Sequence, residues 1–294
     1  MLIFMLACSA PNDKDSSADD TGSETVDPNA YLEGTAPLAE VSGGDCPTID
    51  GGGDVELVSN GKDRTVKLIL PEGGSAGKPV VFVWYPLGGT ASYMINALSL
   101  REYADTVDAV VVVPTASGDL AYEWAFVSAA EGNDDLVLFD DMRTCLYEQL
   151  DIDLGRVSAM GFSAGALWTS YLGVHRGDTL STILPFSGGT GSGVTYATPA
   201  APFPALLPFG GASDLYGGGV IDFQQTTTNF ATDLTADGHF VVTCNHEGGH
   251  TIPPEGRDMM DLWLTAHTFG EASPFANGDL SELPDYCSVF TAPG

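Results

Sequence analysis

A serine, a histidine and a carboxylate can cleave acyl bonds when they are brought together, and this 294-residue chain offers each in a suggestive setting. Ser163 is the centre of Gly161-Phe162-Ser163-Ala164-Gly165. A serine hydroxyl is a poor nucleophile at neutral pH and needs a neighbouring base. The G-x-S-x-G spacing serves it when a strand enters the turn and a helix leaves it. The turn is then so tight that its flanking positions must be small, and the hydroxyl stands clear of the sheet. Residues 156–160 read as a strand and residues 164–175 as a helix, so that context is met. With 36 glycines in the chain the bare motif arises easily by chance, so the flanking elements carry the reading. The plain alternative is a strand-helix turn with an ordinary serine.

The base must come from five histidines. His250 stands in Gly248-Gly249-His250-Thr251, a flexible loop after the strand at residues 240–243 and before the helix at 257–268. His246 follows the same strand and is the alternative. His175 ends the helix after the elbow, His239 opens a strand and His267 lies on the last helix, so these three read as structural or exposed. The orienting acid is expected after the strand at residues 204–209, where Phe209-Gly-Gly-Ala-Ser-Asp214 places Asp214. An aspartate that caps local turn amides is the plain alternative there. Asp222 is the other candidate, but it begins the helix at 222–234. In the fold that carries such an elbow the order is serine, then acid, then histidine. An oxyanion hole needs two N–H donors. Ala164, next after the nucleophile, supplies one. The loop 85–90 supplies the other, and Leu87 is expected to carry it because Pro86 has no N–H. Trp124, in the long loop after the strand at 108–114, is expected to line an acyl or aromatic pocket; a core indole is the alternative.

The positioning elements follow from periodicity. Residues 65–70, 79–84, 108–114, 180–186 and 204–209 are apolar runs bounded by turn residues, and read as strands. Residues 91–104 and 134–150 read as helices, the second with an acidic first turn that suits the helix dipole. Strands without alternation, separated by helices, imply an α/β class with a mostly parallel sheet covered on both faces. Ligands in such sheets bind at the carboxyl ends of the strands.

Charge and composition bound the partners. Ten Lys and Arg stand against forty Asp and Glu, a formal net charge of −30. Such a surface repels nucleic-acid backbones and anionic lipid. No apolar run approaches the ~18 residues of a membrane span. Any membrane association is expected only through a lipid anchor: Ala7-Cys8-Ser9 closes a short apolar stretch in the manner of a lipoprotein signal, which would make Cys8 the lipidated residue and residues 1–8 a signal remnant. Residues 9–45, small and acidic, are expected to be a disordered tether, and residues 46–294 the catalytic domain. Cys46, Cys145, Cys244 and Cys287 remain, an even number that in an exported protein implies two disulfides with three possible pairings. None are at C-x-x-C spacing, so no metal site and no cofactor are expected.

In four of its stretches the chain resembles the extracellular polyhydroxybutyrate depolymerase and feruloyl esterase group of α/β-hydrolases. They are Arg156-Val-Ser-Ala-Met-Gly-Phe-Ser-Ala-Gly165 at the elbow, Asp134-Asp135-Leu-Val-Leu-Phe in the preceding helix, Gly211-Ala-Ser-Asp214 at the acid, and Gly248-Gly-His-Thr-Ile-Pro253 at the histidine. Together they span about residues 60–270. Two positions depart from the pattern. The group's usual His-Gly before the oxyanion donor is here Tyr85-Pro86, and its usual Asn or Gly after the nucleophile is Ala164. The resemblance implies an α/β-hydrolase fold and a secreted serine esterase acting on hydroxyalkanoate polyesters or on feruloyl and acetyl groups of polysaccharide. The loop 187–201 is too short for a lid domain, which suits bulky or polymeric esters. An α/β-hydrolase peptidase and a non-catalytic surface lipoprotein on the same fold are the rival readings.

Overall fold

The computed structural model describes residues 35–118 and 120–292. The chain lays down β1 (Gly53–Ser59), β2 (Lys62–Ile69), β3 (Val80–Trp84), α1 (Ala91–Ala97), α2 (Leu100–Val107), β4 (Val110–Pro114) and α3 (Asp134–Leu150). Then come β5 (Val157–Phe162), α4 (Ala164–Arg176), β6 (Thr182–Phe186), β7 (Ala205–Phe209), the small hairpin β8 (Leu215–Tyr216) and β9 (Ile221–Asp222), α5 (Phe223–Ala236), β10 (Val241–Asn245), α6 (Gly256–Trp263) and β11 (Cys287–Val289). Nine strands form one sheet in the order β1-β2-β4-β3-β5-β6-β7-β10-β11. From β4 to β10 all neighbours are parallel, and antiparallel strands close both edges. Every residue of β3, β4, β6 and β7 is buried, as a parallel sheet covered on both faces requires of its apolar runs. This is the α/β-hydrolase architecture. No helix lies between β6 and β7, so no lid domain rises there.

Topology locates the site before any side chain does. From β3 the chain crosses to β4 on one side, and then to β5 on the other. The loops leaving β3 and β5 therefore part at a switch point, and a crevice opens between the carboxyl ends of these strands. The elbow follows β5, and the Tyr85 loop follows β3.

Some expectations need correction. The single helix at 91–104 is two, because Ser99 takes a left-handed backbone (φ 48°) between α1 and α2. The last helix ends at Trp263 rather than Thr268. The short strands β8, β9 and β11 carry too few residues to show periodicity. β11 is held to β10 by register and by the Cys244–Cys287 disulfide. The packed body also begins before Cys46. Arg143 donates to the carbonyls of Ala36 and Pro37, Thr144 to that of Ala39, and Ser42 to the carboxylate of Asp141. The Cys46–Cys145 disulfide fastens this segment to α3. Residues 35–45 thus lie along α3, and they do so because α3 presents both donors and a carboxylate acceptor to them. Cys8 and residues 9–34 of the expected tether lie outside the described residues. Among the described residues no helix is long and apolar enough to cross a membrane.

His267 sits buried below α6, with Nδ1 2.9 Å from the Trp263 carbonyl oxygen and Nε2 2.9 Å from the Ser273 Oγ. Burial pushes its pKa from the ordinary 6.5 down to about 4. The unfolded chain therefore takes up this proton near pH 6.5 and the folded chain only near pH 4. Stability from this residue is complete above the first value and lost as pH falls towards the second. At ~1.4 kcal/mol per pKa unit the loss is about 3 kcal/mol. Urea unfolding of His267→Gln at pH 7 and pH 4.5 should show a smaller fall in stability than the wild type by nearly that amount; equal falls would refute it.

Candidate active site

The elbow rests on backbone meeting backbone. Ser163 adopts φ 56° and ψ −119°, a strained conformation for a residue with a Cβ. Its N–H is pinned to the Phe186 carbonyl oxygen of β6 at 3.0 Å. A Cβ on Gly161 would lie 2.2 Å from the Gly165 carbonyl oxygen, and one on Gly165 would lie 2.2 Å from the Trp84 carbonyl oxygen. Only glycine fits at either position. The motif's spacing is thus the condition for α4 to start directly over the ends of β3 and β5.

Ser163, His250 and Asp214 come together in one hydrogen-bonded chain. Ser163 Oγ is 2.9 Å from His250 Nε2, and His250 Nδ1 is 2.7 Å from Asp214 Oδ1. The carboxylate only accepts, so Nδ1 carries the proton and Nε2 is the acceptor facing the serine. Asp214 is fully buried, yet its second oxygen is not left bare. It accepts from the Ser187 Oγ at 2.8 Å and from the Gly210 N–H at 2.8 Å. The acid and histidine loops are also joined directly. Gly249 donates to the Gly210 carbonyl at 2.9 Å, and a Cβ on Gly210 would fall 1.9 Å from the Gly249 oxygen. Phe223 and Phe162 stack on the imidazole, with ring centroids 4.5 and 5.0 Å away. Phe223 also donates its N–H to the Asp214 carbonyl, so the base of the β8–β9 hairpin is tied to the acid.

The alternatives fill the ordinary roles. His246 accepts from the Gly248 N–H and does not touch Ser163; burial lowers its pKa. Asp222 caps α5 by accepting from the Gln225 N–H. His239 bonds the Phe203 backbone. Among the described residues no group of three or more His, Cys, Asp or Glu is arranged to hold a metal ion.

The N–H groups of Ala164 and Leu87, the expected donors, have no backbone partner among the described residues. Ala164 opens α4, so its N–H has no helical partner. Leu87 makes no backbone hydrogen bond within the described residues, whereas its neighbours are engaged: Gly88 donates to Glu123 Oε1 and Gly89 to the Pro86 carbonyl. Trp124 is not where a pocket wall would be. It is fully buried and packs edge-on to Trp84 and Tyr85 at 5.0 and 4.8 Å. Its indole N–H finds the Tyr85 carbonyl oxygen at 2.8 Å. A buried indole N–H needs a partner, and this backbone oxygen is the one in reach.

Sequence reasoning missed Ser187, Phe162 and Phe223. The first could have been sought, because a strand ending in Phe186-Ser187-Gly188 sits beside the acid strand. The two rings carry no local signal of their role. Ser187 holds φ 54°, so its Cβ is strained while its hydroxyl serves Asp214. Ser187→Ala should lose the hydrogen bond and keep the strain; Ser187→Gly should lose the bond and relieve the strain. Chemical denaturation should find the glycine variant more stable than the alanine variant by about 1 kcal/mol. The reverse order would refute the strain.

No protein-family model matches the chain. Feruloyl esterase B of Thermothelomyces thermophilus is 25% identical over 155 residues, covering 50% of this chain and 53% of that protein. The chain thus matches about half the length of this curated relative. Among solved structures, native pOPH superposes with a TM-score of 0.63 at 16% identity, covering 85% of this chain and 97% of the other. A ferulic acid esterase follows with a TM-score of 0.54 at 14% identity, covering 67% and 90%. The S-formylglutathione hydrolase FrmB of Staphylococcus aureus gives 0.53 at 13% identity, covering 67% and 91%. With this sheet and these likenesses, the chain has the α/β-hydrolase fold and is similar in sequence to part of a feruloyl esterase.

Proposed function

We propose that the protein is an exported serine esterase that hydrolyses carboxylic esters by a Ser163–His250–Asp214 triad. The observation that carries this reading is the hydrogen-bonded run from Ser163 Oγ through His250 to a buried carboxylate, set at a topological switch point. His250 Nε2 takes the Ser163 proton as Oγ attacks the ester carbonyl carbon. The carbonyl oxygen becomes an oxyanion that accepts from the N–H groups of Ala164 and Leu87. His250 then gives its proton to the alcohol oxygen as the C–O bond breaks. Water, deprotonated by His250, attacks the acyl-enzyme; the carboxylic acid leaves and Ser163 regains its proton. Asp214 holds the imidazole tautomer and offsets the positive charge that forms on it.

The substrate reading is a bulky or polymeric ester of low charge. Tyr93, Tyr122, Val127, Leu215, Tyr216 and Val220 are exposed, and all lie on segments that follow the carboxyl ends of β3, β4 and β7. The remaining exposed large apolar residues of the described chain, Val58 and Val289, lie on the edge strands. Apolar exposure is thus concentrated on the side where the crevice opens, and no lid covers it. The resemblance to polyester depolymerases and feruloyl esterases favours the same class. Two disulfides favour export, and Ala7-Cys8-Ser9 favours a lipid anchor; labelled palmitate should tag the wild type and not Cys8→Ser.

A fluorophosphonate probe should label the wild type and not Ser163→Ala. Turnover of p-nitrophenyl esters should drop by at least about a thousandfold in Ser163→Ala and in His250→Ala, and the double variant should lose little more, because the residues act as a unit. A folded Ser163→Ala protein that keeps its activity would overturn the mechanism. Comparing methyl ferulate with hydroxybutyrate polyester granules then sets the acyl preference.

A further inference from the structure

The turn that offers Leu87 is held by residues from a different loop. Tyr85 is buried, and its hydroxyl accepts from the Ala116 N–H at 2.7 Å. Its carbonyl accepts from Trp124 Nε1 at 2.8 Å. Two residues beyond Pro86, the Gly88 N–H donates to Glu123 Oε1 at 3.2 Å. Adjacent side chains, Glu123 and Trp124, therefore grip the turn on either side of Leu87. Glu123 itself holds φ 69°, an uncommon backbone for a side-chain-bearing residue. The grip is itself anchored. The Ala125 N–H donates to Asp135 Oδ2 at 2.9 Å, and the Asn133 side chain donates to the Ala125 carbonyl at 2.9 Å. Asp135 is ion-paired with Arg64 at 2.7 Å, both fully buried. On the other side, a Cβ on Gly165 would strike both the Trp84 and the Tyr85 carbonyl oxygens, so this turn is in direct contact with the elbow.

We infer that Trp124 and Glu123 are positioning residues for the oxyanion hole. They fix the Tyr85–Gly88 turn so that the Leu87 N–H is presented, without reorganisation, to the oxyanion formed at Ser163. This rests on the esterase reading above. A donor preorganised for the transition state lowers the barrier without tightening ground-state binding. A clamp of this kind therefore acts on kcat and on tetrahedral adducts, and leaves KM nearly unchanged. A pocket wall would do the opposite.

Trp124→Phe keeps a buried ring and removes only the indole N–H. With p-nitrophenyl acetate it should lower kcat by about ten- to a hundredfold at near-constant KM, less than or equal to the loss of a whole oxyanion donor. Affinity for phenylboronic acid, which forms a tetrahedral adduct on the serine, should fall by the same factor. Half-exposed Glu123 supplies the second arm. Glu123→Ala should lower kcat and boronate affinity about tenfold, and Glu123→Gln, which still accepts from the Gly88 N–H, should restore both to within about twofold. If Trp124→Phe does not fold, the Glu123 pair alone decides. Unchanged kcat and boronate affinity in the folded variants, or a rise in KM alone, would overturn the inference while leaving the triad intact. A wild type without ester turnover would overturn the esterase reading itself, and this inference with it.

Discussion

The close approach of peptide backbones is the constraint on which this site depends. Gly165 lets α4 begin against the carbonyl oxygens that end β3, and Gly210 lets the acid loop touch the histidine loop. These contacts set the distances between segments that are far apart in sequence. A methyl group at either position would push the segments apart by more than the tolerance of a hydrogen bond. The strained backbone of Ser163 persists because its N–H is fixed to β6 on one side and its helix is seated on β3 on the other. The sheet supplies the rigidity, and glycine supplies the proximity.

Once the loops are that close, a buried carboxylate becomes tolerable. Asp214 is removed from water, where an unpaired charge would be costly. Ser187, Gly210 and His250 replace that solvation with three short hydrogen bonds. The same arrangement orients the imidazole, because one carboxylate oxygen is occupied by the two donors and the other is left for Nδ1. Phe162 and Phe223 restrict the ring further by stacking on it. The hydrogen-bonded run from Ser163 and the satisfied buried charge of Asp214 are here the same structure viewed from two ends.

Much of this was legible in the sequence, for identifiable reasons. The buried parallel strands announce themselves as apolar runs, and α3 matches residues 134–150 because Asn133 caps it and its first turn is acidic. Ser163 directly follows a strand, and Asp214 and His250 each lie five residues beyond one, at the sheet edge where fold class says ligands bind. What was not legible depends on distance. Nothing near Trp124 in sequence reveals that the Tyr85 carbonyl will take its N–H, so the sequence leaves a pocket wall and a core indole both open. Residues 35–45 look like the acidic tail before them, and residues about a hundred positions on, Asp141, Arg143 and Thr144, draw them into the body. Ser99 interrupts a continuous helical pattern with a left-handed backbone that nothing in its residue type announces.

Charge accounting links the body to its surroundings. Seven of the ten basic residues are ion-paired with an aspartate: Lys62, Arg64, Lys67, Lys78, Arg156, Arg176 and Arg257. Arg143 is spent on backbone carbonyls. With all ten cations counted, thirty acidic groups remain in excess, so the chain carries a strongly negative net charge. Self-repulsion on this scale works against compactness, and the two disulfides and added salt both oppose it. In the proposed reaction the ester substrate is neutral and meets no charge penalty on approach, whereas the carboxylate that its hydrolysis would release is repelled by a net negative surface. On the esterase proposal, the negative charge that disfavours polyanionic ligands therefore also favours departure of an acidic product.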